Sequence, residues 1–555
     1  MRRLGRPWPA AAIAWLGGAA VFAVLVTVGL AGLLGSREGV VTKAGVGAAI
    51  PGVTAPVHRV REPADRPRRA RSKPGRAQSA TAQPARAVVV IGPGAHLLPV
   101  PRSYLGLSTE YRELPSFERR LQIFERVLAM LHVPGDGPLL LRIGGDSADH
   151  SFWDPRGGPL PSWAVRLSGA WLAPMRRLVK REAVRLILDL NLVTGSPLMA
   201  ARWVAAARRD LPRHAIAGLE VGNEPDIYSR LYWQAIVSRR VPGEPALPAT
   251  LSAAGYVRDF RAYAQALERV APDVPVLGPA VANPVRDRGW VSKLIYGARS
   301  ELAVVSAHRY PYSACARANW RAYPTIPRLL SERASAGMAK TLAPVIGLAH
   351  RAGLPFRLTE LNSVTCGGRP GVSDAFATAL WAPDALFELL HSGVDGVNVH
   401  VRADAVNGAF AFGRTGLEVR PLLYGLVMFN RTLGRNPELV GRTLYGGHGV
   451  DLKVWASRAA GRILHVLLID KSNRAVQVVL RLPGIGVAKV QRLLAPAVDS
   501  RSGVTLAGQT LSPTGRWLGR RISQALQPQT DGYQVALPRF SAAVLSVRLA
   551  PGALG

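Results

Sequence analysis

Between residues 103 and 402, short apolar runs alternate with longer amphipathic segments, and no other feature constrains the fold of this chain as strongly. The runs are Tyr104–Ser108, Leu139–Ile143, Val184–Leu192, Ile216–Val221, Val274–Leu277, Leu302–Ala307, Phe356–Thr359 and Gly396–Val401. The segments that suit helices are Phe117–Met130, Trp171–Glu182, Pro197–Arg209, Ala253–Val270, Arg328–His350 and Ser373–His391. Strands that alternate with helices indicate an α/β fold with a parallel sheet. Eight such units in about 300 residues predict a (β/α)8 TIM barrel, and a doubly wound open sheet is the alternative.

The pattern changes after about residue 430, where strand-like runs are separated by Gly, Pro, Asn and Asp without an intervening helix. These runs are Val450–Ala456, Arg462–Asp470, Val476–Leu482, Val490–Leu494, Tyr533–Leu537 and Ala542–Leu549. Such a series is typical of a β-sandwich. We therefore predict a catalytic barrel over 103–429 and a C-terminal β-sandwich over 430–555. Residues 86–102 are predicted to contribute a strand, Ala87–Ile91, to the sandwich.

The N-terminal stretch is mostly apolar and has no charged residue between Arg6 and Arg37. A bilayer span needs about 20 residues, whereas the apolar region of an ordinary cleaved signal has about 7–15. Residues 1–36 are therefore predicted to be an uncleaved signal anchor that holds the rest of the chain outside the cytoplasm. A long cleaved signal, which would make the protein secreted, is the alternative. Residues 37–85 are basic and Pro-rich and are predicted to be a disordered linker.

The composition describes a globular protein, because 48% of the residues are hydrophobic and 19% are charged. The formal net charge of +34 is large. One interpretation is that this charge only reflects general arginine usage and the basic linker. The other is that it serves to attract acidic polymers, acidic lipids or an acidic cell surface. No zinc-finger spacing and no aromatic platform for single strands is present in the sequence, so nucleic acid is not an expected partner.

Polar side chains follow the apolar runs at almost every predicted strand end. Because the active sites of (β/α)8 barrels lie at the carboxyl ends of the strands, we expect these side chains to meet at one mouth. The candidate site residues are Glu110, Arg142, Asp146, Ser147, Asn191, Asn223, Glu224, His308, Arg309, Tyr310, Glu360 and Asn362. No set of His, Asp and Glu has convincing metal-ligand spacing, so neither a catalytic metal nor a cofactor is predicted.

Two of these candidates, Glu224 and Glu360, are predicted to lie at the ends of strands 4 and 7, across the mouth from each other. A lone glutamate at a strand end more often caps a helix or forms a salt bridge, but a pair in this arrangement suits glycoside hydrolysis with retention. We assign Glu224 as the general acid/base and Glu360 as the nucleophile. We expect Arg142 and Tyr310 to hold Glu360 ionised and Asn223 to bind the sugar 2-hydroxyl. The carboxyl groups should then lie about 5–5.5 Å apart.

Four strings carry a resemblance to a known family. They are Arg142-Ile143-Gly144-Gly145-Asp146-Ser147-Ala148-Asp149, Glu220-Val221-Gly222-Asn223-Glu224-Pro225-Asp226, His308-Arg309-Tyr310-Pro311 and Thr359-Glu360-Leu361-Asn362-Ser363, the last continuing through Cys366 to Asp374. Together with the closing Phe540–Leu545, they make residues 86–550 resemble glycoside hydrolase family 79, the β-glucuronidase and heparanase-like group.

This resemblance implies a retaining, exo-acting β-glucuronidase with a carbohydrate substrate, Glu224 as acid/base and Glu360 as nucleophile. The chain has Asp146 where the family commonly has Asn, and Arg309 where it commonly has His. Both are predicted to line the sugar subsite, where Arg309 is a candidate partner for a uronate carboxylate. The alternatives are another retaining β-glycosidase of the same clan and a non-catalytic carbohydrate-binding surface protein.

The two cysteines of the chain, Cys315 and Cys366, follow the predicted strands 6 and 7. Loops that follow neighbouring strands of a barrel lie side by side at the mouth. In an exported protein, this placement predicts a disulfide that braces the pocket. Two free, buried thiols are the alternative.

Overall fold

In the computed structural model, residues 84–92, 95–181, 183–228 and 251–554 are described. The predicted signal anchor and almost all of the predicted linker lie outside these residues. Within the described part of the chain, no helix is both long enough and apolar enough to cross a membrane. The anchor and the linker therefore stay predictions.

Parallel strands close into an eight-stranded barrel in which the last strand pairs with the first. In chain order, strands 1 to 8 are Leu105–Glu110, Leu139–Gly144, Val184–Leu190, Ile216–Val221, Val276–Val281, Val304–Arg309, Phe356–Leu361 and Gly396–His400. Closure is made by strands 8 and 1, where Val397 lies opposite Leu105 and His400 lies opposite Ser108. The predicted (β/α)8 barrel is confirmed, and the open-sheet alternative is wrong.

Strand 5 departs most from its predicted bounds, because it runs over Val276–Val281 instead of Val274–Leu277. It continues through Gly278 and Pro279, two residue types that usually interrupt a strand. A Cβ atom on Gly278 would lie 2.7 Å from the hydroxyl of Tyr256 and 3.0 Å from the ring of Phe260. Glycine therefore allows a neighbouring helix to pack closely against this strand.

Helices surround the barrel, and several begin at capping side chains that the sequence supplies. The helices are Leu114–Glu118, Leu121–Leu131, Gly169–Arg181, Pro197–Asp210, Ala253–Glu268, Arg288–Gly297, Ile326–Leu330, Ala336–Arg351, Ala377–His391 and Pro421–Leu433. Ser196 and Ser252 accept hydrogen bonds from backbone amides in the first turns of their helices. The predicted single helix Arg328–His350 is divided in two, because Ser331 adopts an extended conformation.

Two sheets of short strands form the C-terminal β-domain. The smaller sheet has the order Thr443–Gly446, Ala85–Val90, Val476–Arg481 and Tyr533–Leu537. The larger sheet has the order Leu97–Pro99, Glu438–Val440, Leu452–Ala459, Ile463–Asp470, Ser541–Leu549, Gly484–Leu494 and Thr505–Leu506, and Gln524–Leu526 pairs with Gly484–Leu494. Buried Val89 and Val478 of the smaller sheet share one core with Val454 and Leu545 of the larger. This is a β-sandwich-like region, and Ala85–Val90 is one of its strands.

The larger sheet also packs against the barrel. Trp455 stacks on Phe387 with ring centroids 5.3 Å apart, and its indole N–H donates to Asp384 over 3.1 Å. Lys471 pairs with the other oxygen of Asp384 at 3.0 Å. Helix Pro421–Leu433 was not predicted from the sequence; it crosses the predicted boundary at residue 430 and is buried along almost its whole length between the two parts. The β-domain therefore supports the barrel helices and leaves the mouth of the barrel to the strand-end loops.

Candidate active site

A fully buried arginine, Arg142 near the end of strand 2, connects polar side chains from around the barrel. Its guanidinium donates to Ser108, Asp189, Glu220, Asn223 and Glu360, at 3.3, 2.8, 2.7, 3.0 and 3.0 Å. Although burial opposes the positive charge, the three carboxylates raise the pKa of Arg142 further above its usual value. The second carboxylate oxygen of Glu220 accepts a hydrogen bond from the hydroxyl of Thr359 over 2.7 Å. Arg142 therefore stays charged and fixes the carboxylates around it.

Glu360, at the end of strand 7, has a hydrogen-bond donor on each carboxylate oxygen. The hydroxyl of Tyr310 donates to Oε1 over 2.6 Å, and Arg142 donates to Oε2 over 3.0 Å. Nδ1 of His400 lies 3.5 Å from Oε2. Burial alone would raise the pKa of Glu360, but His400, His308, Arg142 and the Tyr310 hydrogen bond together lower it to about 2. This carboxylate is therefore ionised and oriented at neutral pH.

Glu224 follows strand 4 and contacts a different partner. Its Oε1 lies 3.0 Å from Nδ1 of His308, a fully buried histidine on strand 6. Burial opposes protonation of His308, but the charge of Glu360 and the contact with Glu224 raise its pKa above the ordinary value. The two candidate carboxylates thus have different settings: Glu360 is held by an arginine and a tyrosine, whereas Glu224 is held by a histidine.

The backbone of Glu224 is itself unusual, with φ +53° and ψ +51° in the left-handed region. A non-glycine residue held there costs about 1–3 kcal/mol, and such residues cluster at functional sites. Its amide N–H donates to the carbonyl of Ala280 on strand 5 over 3.0 Å, and the short helix Pro225–Ile227 begins directly afterwards. The turn after strand 4 therefore sets the direction of the Glu224 side chain.

One oxygen of Glu224, one oxygen of Glu360 and one ring nitrogen of His308 all lie within 4.8 Å of one another. Such a set is also a possible metal-ligand group, which the sequence had not suggested. Both oxygens of Glu360 already accept hydrogen bonds within the protein, and Nδ1 of His308 faces Glu224. Each of the two carboxylates is therefore held by hydrogen bonds to other side chains, and their short separation suits proton transfer and nucleophilic attack.

Glu224 and Glu360 open into a cavity of about 700 Å³ at the barrel mouth, within the usual range of about 300–1,000 Å³ for ligand pockets. Of the other sequence candidates, Glu110, Asp146 and Tyr310 also line it. The remaining lining residues include Asn283, Arg286, His400, Arg402 and Asn407. Four carboxylates and two amides are among the lining side chains, and such groups suit a ligand with several hydroxyl groups.

Several predicted site residues have their polar atoms bound within the fold. Asn191 donates to Ser151 and Thr194, Asn362 donates to the carbonyls of His400 and Asn407, and Ser147 donates to the carbonyl of Gly144 through its side chain. Arg142 and His308 contact Glu360 and Glu224 from behind the cavity wall. These two residues support the site from below, and Arg142 also holds the side-chain oxygen of Asn223.

Arg309 also differs from expectation. Its guanidinium donates to Asn283 and to Thr341 on the helix outside strand 6, at 3.5 and 3.2 Å, so it does not line the cavity. The reason is the alternation along strand 6, which places His308 inward and the next side chain outward. The cations that do line the cavity are Arg286 and Arg402.

Sequence reasoning did not identify Asn283, Arg286 and Arg402. The first two follow strand 5, whose end was predicted four residues too early, before Gly278-Pro279. Arg402 lies two residues beyond the end of strand 8. It lies 3.9 Å from both Glu110 and Asp146. Because Arg402 follows the end of strand 8 by only two residues, its position in the sequence could have identified it as a residue of the mouth.

The loops after strands 6 and 7 are joined at the rim of the cavity. Cys315 and Cys366 form a disulfide with Cα atoms 6.0 Å apart, and both cysteines line the cavity. The same two loops pair as the short parallel strands Tyr312–Ser313 and Val364–Thr365. These links fix the loop that follows Glu360 against the loop that follows His308.

Neither a family model nor a curated protein matches the sequence. Similar solved structures include a 4-O-α-L-rhamnosyl-β-D-glucuronidase from Fusarium oxysporum 12S in complex with Rha-GlcA. Its TM-score is 0.64 at 15% identity, over 82% of this chain and 100% of that chain. A GH51 α-L-arabinofuranosidase from Thermotoga petrophila has a TM-score of 0.59 at 17% identity, over 83% and 100% of the two chains.

A family 44 xyloglucanase from Paenibacillus polymyxa is also similar, with a TM-score of 0.57 at 12% identity, over 83% of this chain and 99% of that chain. All three named neighbours are glycoside hydrolases. At these identities the likeness shows a shared fold, in which a barrel and a β-domain occur in one chain.

Proposed function

We propose that this protein is a retaining β-glycoside hydrolase with Glu360 as nucleophile and Glu224 as general acid/base. The observation that carries the proposal is the pair of carboxylates on opposite strands, with an oxygen of each within 4.8 Å of the other. Retaining glycosidases hold their carboxyl groups about 5–5.5 Å apart, whereas inverting enzymes need about 6.5–9.5 Å to admit a water molecule. The short separation therefore supports double displacement.

In the first step, Glu360 attacks the anomeric carbon while Glu224 protonates the departing glycosidic oxygen. Attack requires an ionised carboxylate, and a pKa of about 2 keeps Glu360 ionised over the whole working range of such an enzyme. Arg142 and Tyr310 hold its two oxygens, so the attacking direction is fixed before the substrate binds. Glu224 is the proton donor in this scheme, because one of its oxygens lies within 4.8 Å of an oxygen of Glu360 across the mouth.

In the second step, Glu224 takes a proton from the water that cleaves the glycosyl-enzyme. His308 contacts Glu224 at 3.0 Å and is placed to orient it in both steps. Arg142 donates to the side-chain oxygen of Asn223 at 3.0 Å, which leaves the side-chain NH2 of Asn223 as the donor for the sugar 2-hydroxyl. That contact strengthens in the transition state of glycosidases.

For the substrate, we propose a terminal β-linked glucuronic acid, released by exo action. The support is the motif resemblance to family 79 and the glucuronidase among the structural neighbours. Arg402 replaces Arg309 as the candidate partner of the uronate carboxylate, because its side chain reaches the cavity beside Glu110 and Asp146. Another retaining β-glycosidase activity of the same clan is the alternative outcome of the substrate test below.

We also propose that the enzyme works outside the cytoplasm, either tethered by its N-terminal segment or secreted. The disulfide between Cys315 and Cys366 supports this location, since disulfides persist in oxidising compartments.

The substrate is tested with aryl β-glycosides that differ only at C5, carrying a carboxylate, a hydroxymethyl group or hydrogen. The glucuronide should be hydrolysed, and the first sugar product observed by NMR should keep the β configuration. Turnover of the glucoside without the glucuronide would refute the substrate class, and an α product would refute retention.

The roles are tested with Glu224→Ala and Glu360→Ala, using Glu268→Ala on an exposed helix face as the matched control. Both catalytic variants should lose activity, and the control should keep it. Azide should restore turnover of an activated substrate in the Glu224 variant and give a β-glycosyl azide, whereas any glycosyl azide formed by the Glu360 variant should have the α configuration. A 2-deoxy-2-fluoro glucuronyl fluoride should label Glu360, and labelling elsewhere would contradict the assignment.

A further inference from the structure

An exposed tryptophan belongs to a loop that forms part of the rim of the catalytic cavity, which Ser313 and Cys315 of the same loop line. Trp320 belongs to the loop between strand 6 and helix Ile326–Leu330, on the same face of the barrel as the carboxylate pair. Its residue surface is 52% exposed, and the guanidinium of Arg317 lies 5.5 Å from the centre of its ring. An indole in water presents a flat apolar face, and the carbon face of a sugar ring is apolar as well.

The backbone around this tryptophan is fixed by several hydrogen bonds. The backbone N–H of Trp320 donates to the carbonyl of Arg317 over 2.9 Å. The backbone carbonyl of Trp320 accepts from the amide of Tyr323 at 3.0 Å and from the side chain of Arg328 at 2.8 Å. Arg328 also donates to the carbonyl of Tyr323 over 2.8 Å. The indole is therefore presented on a constrained turn, which reduces the entropy that binding would cost.

The turn is continuous with the catalytic cavity. Ser313 and Cys315 line the cavity, and the amide of Ser313 donates to the carbonyl of Ala322 over 2.9 Å. Trp320 is two residues from Ala322, so their Cα atoms are at most about 7 Å apart. A chain that has its terminal sugar in the cavity can thus reach the indole with one of its next units.

The charge of this rim is positive and is not neutralised. Residues 310–331 contain Arg317, Arg321 and Arg328 and no Asp or Glu. Arg369, from the neighbouring loop, stacks on Tyr323 at 4.3 Å. Among the residues that the structure describes, none of these four arginines forms an ion pair with a carboxylate.

The two arginines that line the cavity, in contrast, lie beside carboxylates. Arg286 pairs with Asp226 and Asp287, and Arg402 lies beside Glu110, Asp146 and Asp404. Among the described residues of this mouth, the positive charge without a carboxylate partner therefore lies around Trp320 and not inside the cavity. Such a surface attracts an anionic partner.

We propose that Trp320, Arg317 and Arg321 form a leaving-group-side subsite for an acidic polysaccharide. The proposal rests on the exo-acting glycosidase function above, because a terminal sugar in the cavity leaves all remaining units on the leaving-group side. One sugar ring stacks on the exposed indole. The carboxylate of that sugar, or that of a neighbouring uronic acid unit, pairs with the arginines. The natural substrate is then a uronic acid-containing polymer instead of a small glucuronide.

Binding is tested by calorimetry on the full chain carrying Glu360→Gln, which prevents turnover. The probes are a hexasaccharide of alternating β-linked glucuronic acid and N-acetylglucosamine and an uncharged N-acetylglucosamine hexamer. Adding Trp320→Ala should weaken binding of the charged probe by about tenfold or more. Adding Tyr296→Ala, an exposed aromatic on an outer helix, should leave binding within about twofold of the parent.

The charges are tested with Arg317→Gln combined with Arg321→Gln, which should weaken binding and reduce its salt dependence. With Glu360 restored, Trp320→Ala should slow hydrolysis of the charged hexasaccharide more than that of an aryl glucuronide, whereas Tyr296→Ala should change neither rate. Equal binding with and without Trp320, equal affinity for the two probes, or no binding at millimolar concentrations would each overturn the subsite. Failure of the aryl glucuronide assay would instead remove the catalytic proposal, because the binding measurement does not require turnover.

Discussion

Replacing Tyr310 with phenylalanine should make the charge of Glu360 sensitive to mild acid. The tyrosine hydroxyl donates to the carboxylate over 2.6 Å, and the ring can stay in place without it. A hydrogen bond to a charged group contributes about 1.5–3 kcal/mol, and one pKa unit corresponds to about 1.4 kcal/mol. The pKa of Glu360 should therefore rise by about 1–2 units from its value of about 2.

The sign of the accompanying stability change follows from the same pKa. Because the pKa of Glu360 in the fold is below its ordinary value of 4.5, its pairing stabilises the protein above about pH 4.5. That contribution, about 3 kcal/mol in all, is lost as the pH falls through about 2. In Tyr310→Phe the contribution is smaller, and its loss is complete at a higher pH, because the pKa of Glu360 in the folded variant lies closer to 4.5.

The assay is the rate at which a 2-fluoro glucuronyl fluoride labels Glu360 between pH 3 and 7, with folding checked at each pH by circular dichroism. Tyr312→Phe is the matched control, since its hydroxyl donates over 2.6 Å to a neutral carbonyl, that of Arg328. The control should lose about 0.5–1.5 kcal/mol of stability and keep the parent labelling profile. An unchanged profile in Tyr310→Phe would refute the account of how Glu360 is held ionised.

Three further changes test the surroundings of the site. Arg142→Met leaves three buried carboxylates without their cation, so the free energy of unfolding in urea should fall by about 3–5 kcal/mol. His308→Gln should destabilise the protein more at pH 6 than at pH 8, because a raised histidine pKa gives stability that is lost as the pH rises through it. Cys315→Ser opens a crosslink between residues 51 positions apart and should cost about 4 kcal/mol, measured by the same unfolding experiment under oxidising conditions.

The barrel could be predicted because its signal is local and repeated. Each apolar run is long enough for one buried strand, and each amphipathic segment covers one side of the sheet. The strand ends then placed Glu224 and Glu360 at one mouth without any knowledge of the loops. Most hydrogen-bond partners of Arg142 could not be predicted in the same way, because they depend on which side chains point inward at the same level of the barrel.

What the sequence did not reveal depends on loop geometry and on strand ends. The position of Arg309 was correct to the residue, but its side chain points away from the cavity because strand 6 alternates inward and outward. Arg402 belongs to a loop whose path no periodic pattern describes. The left-handed backbone of Glu224 is likewise not visible in the sequence, because only the packing against strand 5 imposes it.

The arginine-centred cluster at the bottom of the cavity has a consequence for the covalent step. Burial is the main cause of the raised pKa of Asp189, and the charge of Glu360 adds to it. Formation of an ester on Glu360 would remove that charge and so lower the proton affinity of Asp189, while Arg142 would have one anion fewer to balance. The groups that stabilise the charge of Glu360 would therefore favour departure of the sugar, which restores that charge, so the lifetime of the glycosyl-enzyme would be set partly by residues that the sugar never touches.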